Sequence, residues 1–157
     1  MNWDAIGAVG EIIGAFAVLA TLAYLALQVR QNTMQMRATS HHAISDSLNH
    51  INILFAENSE VSEIWLKGCD DRSSLTDEQK WRFDATLRAY LHVCETMYFQ
   101  AEVGTGDQTI KLAEERGMVM ILATPGGREW WVENPYGFSI EFREYVERVA
   151  TSRHPVD

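Results

Sequence analysis

Two histidines and an aspartate recur at a spacing that suits metal binding. His42, Asp46 and His50 follow one another at intervals of four residues, so on an α-helix they lie close to one face. Imidazole nitrogens and carboxylate oxygens are common ligands of zinc and related ions. The outer two residues are two helical turns apart, so a second helix would have to supply further ligands, with His92 or Glu95 as the candidates. A solvated polar face is the favoured alternative, and a metal-dependent enzyme is the last of three functional hypotheses.

Other reactive side chains do not form a catalytic motif. The sequence contains no G-x-S-x-G, H-E-x-x-H or C-x-x-C pattern. Gly126, Gly127 and Arg128 suit an anion at a helix N-terminus, but no strand precedes them, as it does in the phosphate-binding fingerprints. The tryptophans are expected in a helical core or at a membrane interface rather than around a cofactor; those of the C-terminal part are Trp65, Trp81, Trp130 and Trp131. We therefore expect neither catalytic activity nor a cofactor.

The elements that position these residues begin with a long apolar segment. Residues 5–29 contain one formal charge, Glu11, and are long enough to cross a bilayer, since about 20 apolar helical residues span its hydrocarbon core. A cleaved signal peptide is disfavoured because no Lys or Arg precedes residue 30 and the segment exceeds the usual apolar length of about 7–15 residues. Arg30 and Arg37 follow directly, so the positive-inside rule places the N-terminus outside and the rest of the chain in the cytoplasm.

One face of this segment carries small and hydrogen-bonding residues at alternating steps of three and four. These residues, here named the small-residue seam, are Gly7, Gly10, Gly14, Ala17, Thr21, Tyr24 and Gln28. Lipid provides little hydrophobic drive between helices, so spans associate through close packing of small residues and interhelical hydrogen bonds. The seam therefore predicts a homo-oligomer. The alternative is a monomeric anchor whose small residues have no role.

Glu11 is the one costly residue of the segment, because a carboxylate at the centre of a membrane costs about 2.5–3.5 kcal/mol. In the favoured interpretation, residues 12–29 span the lipid over about 27 Å and Glu11 lies at the outer headgroups. In the other, the carboxylate lies inside the span and faces a helix partner or a water-filled lumen. The second placement supports an alternative function, a small homo-oligomeric cation channel lined by the N-terminal helices.

The predicted domains are a transmembrane anchor at residues 1–30 and a cytoplasmic α-helical domain at residues 31–157. The second domain carries 12 Lys and Arg against 20 Asp and Glu, a net charge of −8 with neutral histidines. Nucleic-acid binding depends on neutralising phosphates, so this acidity argues against it. The two cysteines, Cys69 and Cys94, are expected as free thiols in a reducing cytoplasm, with Cys94 in the core.

Apolar spacing and capping residues predict an all-α bundle of four to six helices for this domain. A first buried face, continuing the anchor helix, is formed by Ile44, Leu48, Ile51 and Phe55. Thr76 and Gln79 form a capping box at the start of a central helix that Gly104 ends. Further helix starts are predicted at Asn58 or Ser59, near Gln108, at Thr124-Pro125 and at Ser139.

Four phrases of the sequence resemble an uncharacterised family of bacterial single-span membrane proteins with a C-terminal helical domain. They are LALQVRQNT at 25–33, SDSLNHIN at 45–52, ATPGGREWW at 123–131 and FSIEFREYV at 138–146. The resemblance implies an architecture and a bacterial inner membrane, and it carries over no catalytic residues.

The leading functional hypothesis is therefore a homo-oligomeric, single-pass protein of a bacterial inner membrane that acts as a scaffold, regulator or accessory subunit. Its expected partners are membrane lipid, other copies of the chain and an unidentified protein, without nucleic acid.

Overall fold

A computed structural model describes residues 3–152 of the chain, and the two ends, which the predicted domains include, lie outside the described residues. The described residues form six α-helices and two short 3₁₀ helices, without a strand, which confirms the predicted all-α class. The α-helices are α1 (Trp3–Glu57), α2 (Ser59–Asp70), α3 (Asp77–Glu102), α4 (Gln108–Ala123), α5 (Pro125–Glu133) and α6 (Ile140–Ser152), and the 3₁₀ helices are Arg72–Ser74 and Pro135–Gly137.

The chain divides into two compact units, and the division falls after Thr39, inside α1. The first unit contains the apolar part of α1. The second, here named the helical domain, begins at Ser40 and contains the last turns of α1 together with α2–α6. Helix α1 continues to residue 57, as expected for a sequence without Gly or Pro between positions 15 and 67.

Helix boundaries in the helical domain lie at the predicted capping residues. Thr76 and Gln79 form the capping box of α3, in which each side chain accepts the other residue's backbone N–H. Asn58 caps α2 with its side-chain oxygen. Thr124 caps α5, and Pro125 occupies the first helical position, where its missing N–H leaves no bond unmade. Local sequence thus determines where these helices begin.

The core of the helical domain surrounds α3, the predicted central helix. Its buried face comprises Phe83, Leu87, Tyr90, Leu91, Cys94, Met97 and Ala101. Helix α1 contributes Ile44, α2 contributes Ile64, α4 contributes Met118 and Leu122, α5 contributes Trp130, and α6 contributes Phe142, Tyr145, Val146 and Val149. Each large apolar side chain removed from water in this way contributes about 1.5–3 kcal/mol before the entropy of ordering is subtracted. Every α-helix of the domain therefore depends on the same core.

Helices α2 and α5 approach so closely that their backbones touch. A Cβ on Gly126 would lie 1.7 Å from the carbonyl oxygen of Gly68. A Cβ on Gly127 would lie 2.2 Å from the carbonyl oxygen of Ile121, and both glycines of α5 are buried. Close packing of helices therefore accounts for the glycine pair that the sequence offered as an anion site.

Arg72 is buried where the 3₁₀ helix Arg72–Ser74 meets α3 and α5, with 3% of its surface exposed. Its Nε and Nη2 donate to the two carboxylate oxygens of Asp84 at 2.9 and 2.8 Å. Its Nη1 donates to Glu129 at 2.9 Å and to Glu133 at 2.7 Å. These bonds, led by that to Asp84, raise the pKa of the guanidinium against the effect of burial. One cation thereby holds three elements together.

Replacing Gly126 by Ala should lower the free energy of unfolding by about 2–4 kcal/mol, because the new methyl group would overlap the backbone of α2. Gly137→Ala is the matched control, since its Cβ would meet only Arg88 Nη1 at 3.9 Å, and it should change stability by less than about 1 kcal/mol. Urea unfolding followed by tryptophan fluorescence measures both. Equal stabilities of the two variants would contradict the close approach of α2 and α5.

Replacing Arg72 by Ala should lower the free energy of unfolding by about 2–4 kcal/mol, because three carboxylates lose their shared cation and one of them, Asp84, is largely buried. The free energy of unfolding of Arg72→Lys should lie between those of Arg72→Ala and the natural protein, because an ammonium cannot form the bidentate contact. The control is Arg82→Ala, which removes exposed ion pairs with Glu60 and Glu78 and should change stability little. Chemical unfolding compares all three. If Arg82→Ala loses as much free energy of unfolding as Arg72→Ala does, burial of Arg72 is unimportant to its contribution.

Candidate functional site

The small-residue seam lies on an open surface of α1. All seven of its residues are exposed, and a Cβ added to Gly7, Gly10 or Gly14 would meet no atom within 4 Å. The Thr21 hydroxyl donates to the carbonyl oxygen of Ala17 at 2.8 Å, so this polar group is satisfied within the helix. The seam is therefore a smooth face that a second helix can approach closely. The pairing itself stays a prediction.

Large apolar side chains cover the rest of this segment and are also exposed, among them Ile12, Ile13, Phe16, Leu19, Leu22 and Leu25. Within the described part of the chain, one helical stretch, Gly10–Glu57, contains a window long and apolar enough to cross a membrane, and none of that window is buried. A contiguous apolar surface of this size is unfavourable in water and marks a membrane or protein contact. Glu11, also exposed, lies next to its N-terminal end.

The predicted metal-binding residues lie on the solvent side of the helical domain. His42, Asp46 and His50 are all exposed, whereas Ile44 between them is buried. Among the residues that the structure describes, no three His, Cys, Asp or Glu side chains are close enough to hold one ion.

Glu95, a candidate second-helix ligand, instead caps α6. Its Oε1 accepts hydrogen bonds from both the backbone N–H and the hydroxyl of Ser139 at 2.8 Å. Its other oxygen lies 3.2 Å from Nδ1 of His92. Burial opposes ionisation, but these hydrogen bonds outweigh it and hold the pKa of Glu95 below its usual value. Glu95 thus joins α3 to the start of α6, and His92 contacts Glu95 within α3.

The tryptophans divide between core and surface. Trp130 is fully buried, and Trp65 packs between the rings of Phe55 and Phe83, with centroid distances of 5.2 and 5.5 Å. Trp81 lies outside the core, because 73% of its surface is exposed on the first turns of α3. Trp131 is half-buried and lines a surface groove between α4, α5 and α6.

Neither cysteine is activated as a nucleophile. Both are free thiols, as predicted, and Cys94 belongs to the core. Burial raises the pKa of Cys94 to about 12, and a hydrogen bond with Tyr90 only partly opposes that rise. Burial likewise raises the pKa of Cys69. Because the thiolate is the reactive form, burial makes both sulfurs less reactive.

A surface groove of about 440 Å³ lies between α4, α5 and α6. Its walls include the apolar side chains of Val119, Leu122 and Val146, together with Trp131 and Ala150. The volume falls within the range of about 300–1,000 Å³ that small-molecule sites occupy, and such sites are mostly apolar with a few polar groups. This groove is the candidate binding site of the helical domain.

Two oppositely charged side chains supply the polar groups of the groove. Arg128 comes from α5 and Glu147 from α6, and both are exposed. The side chain of neither residue forms an ion pair or a hydrogen bond with another residue in the described part of the chain. The Thr151 hydroxyl donates to the backbone carbonyl of Glu147 and leaves its carboxylate available. The groove thus combines apolar walls with one available cation and one available anion.

Sequence reasoning did not identify this groove. It named Arg128 as part of a possible anion site and Trp131 as a residue of the core or of a membrane interface. The signal was faint: Val146 and Ala150 are one turn apart on α6, and Glu147 lies beside them. A groove built by three helices appears only when their packing is known.

The chain matches no protein-family model, and comparisons with curated proteins and with solved structures find no significant match. The resemblance of its phrases to bacterial single-span proteins therefore stays a prediction.

Replacing Glu95 by Gln should lower the free energy of unfolding by about 1 kcal/mol at pH 7, because the charged acceptor at the start of α6 is lost. The folded-state pKa of Glu95 is depressed, so its stabilisation is present above the unfolded pKa of about 4.3 and disappears as pH falls through the lower folded value. The deficit should therefore shrink below about pH 4.

Urea unfolding at neutral and acid pH tests this expectation, with the exposed Glu144→Gln as control. If the stability lost in Glu95→Gln is the same at acid and neutral pH, the shape of the side chain rather than its charge accounts for the loss.

Proposed function

We propose that α1 anchors the helical domain in a membrane as a single span and that the chains assemble through the small-residue seam. The protein then acts as a scaffold, regulator or accessory subunit rather than as an enzyme. The observation that carries this proposal is the apolar window of α1, of which nothing is buried. A soluble core helix would bury this surface, whereas a span exposes it to lipid.

Charge supports an orientation. Arg30 and Arg37 follow the apolar window, and no Lys or Arg precedes it. We therefore propose that the helical domain lies in the cytoplasm, and the resemblance of the sequence phrases favours a bacterial inner membrane. The acidic composition of residues 31–157 keeps this domain away from anionic headgroups.

The state of the buried reactive groups favours binding over catalysis. Burial raises the pKa values of Cys94, Tyr90 and Tyr145 alike. Catalytic groups need pKa values near the working pH, and these groups are shifted away from it. The available functional surfaces are instead a helix face and an apolar groove, which suit association.

Substituting both Gly10 and Gly14 by Leu should convert the assembly to monomers, because leucine side chains separate helices that the seam brings together. Native mass spectrometry of the full chain, extracted directly into lipid nanodiscs, measures the number of copies. The matched control is Ala15→Leu with Ala26→Leu, which adds the same side chains on the opposite side of α1.

Assemblies of equal mass for the seam variant and the natural protein would refute assembly through the seam. A natural protein that is already monomeric would do the same. A ring of five or more copies would replace the scaffold with the alternative, a cation channel, and Glu11 would then be the first residue to test.

A further inference from the structure

We propose that the groove between α4, α5 and α6 binds a short apolar peptide with free ends. Its carboxylate would pair with Arg128 and its ammonium with Glu147, while its side chains contact the apolar walls. The site lies entirely within the helical domain, so this proposal goes beyond membrane anchoring and does not rest on it.

The size and lining of the groove argue for a small ligand. Its volume of about 440 Å³ lies in the lower part of the range for small-molecule sites. The wall contains the buried side chain of Val146 and the half-buried side chain of Trp131. Aromatic and aliphatic walls favour apolar side chains, and Trp combines a large contact area with few rotatable bonds.

The charges of the groove argue for a dipolar ligand. A cation and an anion, Arg128 and Glu147, both lack a charged partner within the described chain. Among the other cations of this acidic domain, Lys67, Arg72 and Lys111 are paired with carboxylates. A fatty acid would leave Glu147 without a partner, and an apolar amine would leave Arg128 without one. A zwitterion with an apolar middle pairs with both.

The test measures binding of the dipeptide Leu-Phe to the full chain in lipid nanodiscs by ligand-observed NMR, with empty nanodiscs as the blank. Two modified probes remove one charge each: Leu-Phe amide lacks the carboxylate, and N-acetyl-Leu-Phe lacks the ammonium. Each should bind the natural protein about two- to fivefold more weakly than Leu-Phe, the range expected for one exposed ion pair.

Two variants assign the charges to their partners. In Arg128→Gln the amide should bind as well as Leu-Phe, and in Glu147→Gln the acetylated probe should do so, because each variant removes one partner of one pair. Ala150→Leu, which fills the groove from an exposed helical position, should abolish binding of all three probes. Ala89→Leu makes the same change outside the groove and should leave binding intact.

The proposal is overturned if Leu-Phe does not bind the natural protein, or if Ala150→Leu binds it as well as Ala89→Leu does. It is also overturned if the three probes bind equally, because the charges would then have no part in recognition. Thermal unfolding followed by circular dichroism establishes that each variant is folded.

Discussion

The buried guanidinium of Arg72 is the constraint on which the helical domain depends. A cation removed from water is tolerated only when it is paired and hydrogen-bonded. Here Nε and Nη2 of Arg72 donate to Asp84 of α3, and Nη1 donates to Glu129 and Glu133 of α5. If α5 moved by one turn, the carboxylates would lose the cation, and Gly126 would no longer face Gly68. Removing one partner from such a cluster leaves a buried charge uncompensated, which penalises other packings of α5 against α3.

The same cluster determines the geometry of the groove. Glu129 and Glu133 are four residues apart, so they share the face of α5 that points to Arg72. Arg128 and Trp131 are three residues apart and share another face, which lines the groove. Because the ion cluster holds one face of this nine-residue helix, it also fixes the position of the face that lines the candidate groove.

The sequence predicted what local physics decides. Capping at Thr76 and Thr124 depends on contacts three residues away, and the central position of α3 follows from its broad apolar face. The ion cluster was invisible because Arg72 stands in a polar loop, CDDRSS, and its partners lie 12, 57 and 61 positions away. For Trp81 the sequence left a core and a membrane-interface position open, and the exposed ring on α3 excludes the core.

The position of Glu11 argues for an anchor rather than a pore. All backbone groups inside a lipid-facing helix are paired within it, and Thr21 also bonds to its own helix, so the one charged group of the apolar segment, Glu11, is the most costly to remove from water. The residues from Ile12 to Val29 are 18 in number and span about 27 Å, close to the thickness of the hydrocarbon core. The carboxylate can therefore remain at the headgroups while the segment crosses, and no lumen is needed to explain it. The role that we propose for the seam, close contact between helices, then depends on its glycines, which carry no side chains.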